Sequence, residues 1–83
     1  MITEVIGFTR RAEKDIQRLG LSKNQVLFVL RHGMKGKAKG GGLIFSGYGK
    51  RFKNQEKLNG VHIIFNKGFI ITVFKNKKLK VLR

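Results

Sequence analysis

Apolar positions recur in two rhythms along this chain. From Arg10 to Leu19 the rhythm is helical, with Ala12, Ile16 and Leu19 at i, i+4 and i+7. Thr9 is placed to cap that helix, Glu13 and Asp15 in its first half suit the helix dipole, and Gly20 ends it. Ser22-Lys23-Asn24-Gln25 reads as a capping box. A second helix is predicted behind it, with Val26, Val29 and Leu30 on its inner stripe and Gly33 as its stop. Residues 2–8 read as a short strand or an extended lead-in.

The second half alternates with period two, the rhythm of strands. Val61 to Phe74 predicts a β-hairpin, two β-branched and aromatic runs about the turn Asn66-Lys67-Gly68. A three-residue loop there sets Phe65 against Phe69, Ile63 against Ile71, Val61 against Val73 and His62 against Thr72. One face is then apolar (Val61, Ile63, Phe65, Phe69, Ile71, Val73) and the other mixed (His62, Ile64, Ile70, Thr72, Phe74). Leu43 to Phe45 begins the sheet, Ser46 to Gly49 reads as a turn or bulge, and Leu79 to Leu82 as a last strand. Between the halves, Met34 to Gly42 reads as a basic, glycine-rich loop. The expected fold is α+β: two N-terminal helices on one face of a twisted antiparallel sheet of about four strands. A single domain is expected over residues 1–83, with a helical hairpin at 9–33, the basic loop at 34–42 and the sheet at 43–83.

Charge changes the picture most. Nineteen Lys and Arg stand against four acids in 83 residues, a net charge of +15. Such a field favours polyanions: RNA, DNA, an anionic membrane or an acidic protein. There is no Cys to form a disulfide or a thiolate metal site. No apolar run approaches the roughly 20 residues of a membrane span, and the N-terminus lacks the regions of a signal peptide, so a cytoplasmic protein without membrane partners is expected.

The few acids also restrict chemistry. Glu4, Glu13, Asp15 and Glu56 are too scattered for a two-metal nuclease, and His32 and His62 lie on different elements, so neither metal nor cofactor is expected. Metal-free RNA cleavage by 2′-OH attack needs proton transfer and stabilisation of a charged phosphorane, and His, Lys, Tyr and Arg supply both. His62 is the first candidate for the proton chemistry, with Thr72 beside it and Tyr48, Lys50 and Arg51 completing the site. Lys14 and Arg18 on the first helix, Lys35, Lys37 and Lys39 in the loop, and Arg51 and Lys53 are candidates for gripping the RNA backbone. His32 reads as a helix C-terminal residue favoured by the dipole.

The sequence Phe8-Thr9-Arg10-Arg11-Ala12, then Gly20-Leu21-Ser22, then Val26 to Leu30-Arg31-His32-Gly33, and later Ile71-Thr72-Val73-Phe74, resembles a small bacterial domain family of unassigned function. That family reads Phe-Thr-x-His-Ala, a basic helix, Arg-Gly-Ile-Ser, a Val-centred helix ending in Gly, and a late Ile-Thr-Val-Tyr strand. It is similar to the RelE- and BrnT-like toxins of the barnase–EndoU–colicin–RelE ribonuclease group. The resemblance implies helices on an antiparallel sheet, metal-independent cleavage of mRNA, tRNA or ribosome-bound RNA, and neutralisation by an acidic antitoxin or immunity protein. It also admits a toxin domain delivered into a target cell. Arg11 stands at the position of the family His, and Thr72 at its late-strand Thr. The family's basic helix positions fall on Asp15 and Leu19. Losing that His leaves Arg11 as a phosphate binder and His62 as the proton carrier. The alternative is a non-catalytic RNA-binding module, ribosome-associated or a phage or plasmid accessory protein, with Phe52 and Tyr48 as stacking aromatics.

Overall fold

The computed structural model describes residues 5–38, 40–48 and 52–76. Two helices pack on one face of a five-stranded mixed sheet of order β1-β5-β4-β3-β2. β1 is Gly7–Phe8, β2 Met34–Lys37, β3 Leu43–Ser46, β4 Val61–Asn66 and β5 Phe69–Lys75. Among the described residues the expected sheet of about four antiparallel strands becomes five, because two further strands join β3, β4 and β5: β2, and the lead-in at β1, which runs parallel to β5 with Gly7 against Phe69 and Phe8 against Ile70. The strand expected at 79–82 lies outside the described residues.

Both helices follow their local signals. Helix α1, Arg10–Leu19, begins where the Thr9 hydroxyl accepts the Ala12 N–H at 3.1 Å. Helix α2, Lys23–His32, opens on the reciprocal Ser22–Gln25 box, with bonds of 3.1 and 2.8 Å. Gly33 ends it under tight constraint: a Cβ there would stand 2.6 Å from the Ser46 carbonyl oxygen and clash with that of Val29. Ala12, Ile16, Val26, Val29 and Leu30 meet Phe45, Val61, Ile63, Phe65, Ile70 and Val73 in the core.

Residues 34–37 of the expected loop form β2 instead, paired antiparallel with β3 from Met34 against Ser46 to Lys37 against Leu43. Only Leu43–Ser46 beside it reveals that Met-Lys-Gly-Lys is a strand; its own residues carry little strand preference. Lys35 and Lys37 are exposed, while Met34 and Gly36, which alternate with them, are partly buried on the opposite face of the sheet.

The hairpin register also differs from expectation. The turn has two residues, Lys67 and Gly68, at φ 52° and 89°, so Asn66 faces Phe69 and Phe65 faces Ile70. This is the doubly left-handed pattern that matches strand twist. A bulge then leaves Ile71 unpaired, and the ladder resumes with Ile64 against Thr72, Ile63 against Val73 and His62 against Phe74. The shorter turn and the bulge shift β5 by two residues in total. Val61, Ile63, Phe65 and Val73 therefore keep their expected face, whereas Ile70 enters the core and Phe69 is left exposed.

The bulge is held by α1. The Thr9 hydroxyl donates to the Ile71 carbonyl at 2.7 Å, and the Thr9 N–H to that of Ile70 at 3.0 Å. Further along the same edge, one Asp15 carboxylate oxygen accepts the Thr72 hydroxyl at 2.6 Å and the Val73 N–H at 3.2 Å.

Candidate functional site

The sheet face away from the helices carries a row that crosses four strands: Met34, Ser46, His62 and Phe74. His62 and Ser46 are both completely buried. The Asn76 carbonyl, 3.0 Å from His62 Nε2, accepts only, so Nε2 carries the proton. Nδ1 is then the acceptor for the Ser46 hydroxyl at 2.7 Å. Phe74 stacks on the imidazole at 5.0 Å and 23°, and Tyr48 meets it edge-on at 5.5 Å. The Tyr48 hydroxyl donates to the same Asn76 carbonyl at 3.2 Å.

Burial pushes the His62 pKa below its ordinary 6.5, and the bond to Asn76 opposes this only in part. Burial likewise raises the Tyr48 phenol above 10.0. At neutral pH both groups keep their neutral forms. Ser46–His62 has the spacing of a nucleophile and its base, but both side chains are sealed, and a backbone carbonyl occupies the position of an orienting carboxylate. The cluster holds the end of β5 to β3 and β4.

A pH dependence follows. The unfolded chain takes up a proton at His62 near pH 6.5, whereas the folded chain resists it. The stability contributed is complete above about pH 6.5 and is lost as pH falls through the lower folded-state value. Denaturant midpoints at pH 8 and pH 5 are expected to show a drop that His62→Gln reduces.

The structure separates several residues that the sequence grouped. Tyr48 does join His62. Thr72 does not: its cross-strand partner is Ile64, and its hydroxyl serves Asp15. Arg11, Lys14 and Arg18 project from α1, Lys35 and Lys37 from β2, and Lys53 from the turn after Phe52; all are exposed. Lys39, Lys50 and Arg51 lie outside the described residues. Phe52, expected as a stacking aromatic, is 1% exposed and packs edge-on against Phe28. Ser46 and Asn76, the two partners of His62, escaped the sequence reading because each lies 16 or 14 residues away, and nothing local marks either.

Neither protein-family models, nor curated proteins, nor solved structures gave a match to this chain. The residues themselves therefore carry the functional argument. Among the described residues, no three His, Asp or Glu side chains gather as a metal site would require, and no helix is long and apolar enough to cross a membrane.

The charges, by contrast, are arranged outward. Every described Lys and Arg is exposed. Of these, only Arg18 and Lys23 meet a carboxylate, Asp15 at 3.1 Å and Glu13 at 3.8 Å. Arg11, Lys14 and Arg18 share a face of α1 by their i, i+3, i+7 spacing.

Proposed function

We propose that this protein binds RNA through its phosphate backbone, without requiring a metal or cofactor. The observation that carries the reading is the uniform exposure of the described cations, nearly all of them free of carboxylate partners. A chain that used its charge internally would pair it. Here the α1 face with Arg11 and Lys14, and the β2 lysines Lys35 and Lys37, are left to solvent and to polyanions.

Single-stranded RNA affinity should fall steeply with salt. Replacing Arg11 and Lys14 together by alanine is expected to flatten the slope of log K against log salt by about 1.4, since each phosphate contact on a single strand contributes about 0.7. Titrations between 50 and 200 mM salt measure this. A slope unchanged by the double substitution would remove α1 from the interface.

Metal-independent ribonuclease activity, with an acidic protein as inhibitor, is the second reading. It is favoured by one observation: the hydroxyl of half-buried Tyr48 lies 3.4 Å from His62 Nε2, which sets two groups able to move a proton side by side. Total RNA incubated in excess chelator separates the two readings. Fragments ending in 2′,3′-cyclic phosphate mean cleavage; bound but intact RNA means a binding module.

A further inference from the structure

Helix α2 has a second stripe besides the one it buries. Asn24, Leu27, Phe28, Arg31 and His32 follow one another at helical spacing and line a shallow cleft of about 220 Å³. This is smaller than the roughly 300–1,000 Å³ of a drug-sized pocket, and suits one planar group.

Its chemistry is specific. The Phe28 and His32 rings lie 4.7 Å apart at 58°, and Phe28 is steadied from behind by the edge of buried Phe52, at 5.4 Å and 81°. His32 is half-buried and makes no hydrogen bond among the described residues. Arg31 is exposed and has no carboxylate partner there either. The cleft thus combines an aromatic platform, an imidazole with unused nitrogens, an amide able to donate and accept, and a free guanidinium. No acid lines it.

We infer that this cleft is a nucleobase subsite for single-stranded RNA. The base stacks on Phe28 and His32, Asn24 and the imidazole meet its edge, and Arg31 contacts the neighbouring phosphate. Charge complementarity selects the occupant: the Arg31 guanidinium meets no carboxylate among the described residues and no acid lines the cleft, so it fits an anionic strand better than an uncharged helix or strand of another protein. The inference rests on the RNA-binding reading and localises it to α2.

The test uses the full chain and two fluorescent oligonucleotides of equal length, oligouridylate and its abasic counterpart, followed by anisotropy. His32→Ala and Phe28→Leu are each expected to weaken oligouridylate binding at least about fivefold, with abasic binding unchanged. Arg31→Ala is expected to weaken both. Unaltered spectra and denaturation midpoints identify variants that remain folded, and His32→Ala, at a partly exposed position, is the decisive one. If the parent binds both oligomers and His32→Ala leaves the preference for the base-bearing one untouched, the subsite is wrong and the backbone reading stands. If the parent binds neither, both are wrong, and the stripe becomes a surface for a protein partner.

Discussion

His62→Ala is expected to destabilise the fold by about 3 kcal/mol or more. Three losses combine. The buried ring leaves a cavity beneath Phe74 and Tyr48. The Ser46 hydroxyl loses its acceptor, and the Asn76 carbonyl loses its imidazole donor. A domain of this length has only about 4–12 kcal/mol in total, so the variant should show a visibly lowered urea midpoint and a sizeable unfolded population on warming. Loss of an RNA activity in it would then report unfolding. Tyr48→Phe keeps the ring and removes only the hydroxyl, at a cost of about 1 kcal/mol. It is the better probe of the cluster's chemistry: cleavage that survives Tyr48→Phe at full rate would dismiss the phenol as a proton donor.

Asp15→Ala is expected to cost about 2 kcal/mol, measured by urea unfolding at pH 7. The carboxylate accepts from both Thr72 and Val73 at the margin of β5, and truncation strands both donors. Its pair with Arg18 adds little, because that side chain is 66% exposed. Burial pushes the Asp15 pKa up, yet the bonds from Thr72 and Val73, with Arg18 helping, together pull it below 3.8. A lowered folded-state value means that the contribution is complete above about pH 3.8 and disappears as pH falls through that lower value. The gap between parent and variant should therefore narrow in acid. A gap that stays constant down to pH 2 would mean that the charge plays no part. Thr72→Val should reproduce a portion of the loss and be less than additive with Asp15→Ala.

What could be read from the sequence was what is encoded locally. Thr9, Gly20 and the Ser22–Gln25 box delimit both helices within a turn of themselves, and their inner stripes were visible in the spacing. The sheet was legible in its faces but not in its pairings. A two-residue turn and a bulge at Ile71 each move the register by one, and together they restore the phase. The faces of Val61, Ile63 and Val73 thus survived an incorrect register, while the supposed neighbours His62 and Thr72 did not. Met34–Lys37 is a strand by virtue of β3 beside it. The sealing of His62 depends on Ser46 and Asn76, joined to it only by folding. Its period-two position placed it on the right face, but alternation cannot say whether that face is wet.

The grip of Thr9 on Ile70 and Ile71 spans 61 and 62 residues. The helical pair and the β4–β5 hairpin close over short distances, whereas joining β1 to β5 closes a loop of most of the chain, and that entropy must be met before the contact returns anything. Assembly should accordingly proceed from the middle outward, with the first strand docking last. Until it arrives, the bulged margin of β5 is an open template for a neighbouring chain, so the interval before docking is when a nascent or refolding molecule is most exposed to mispairing.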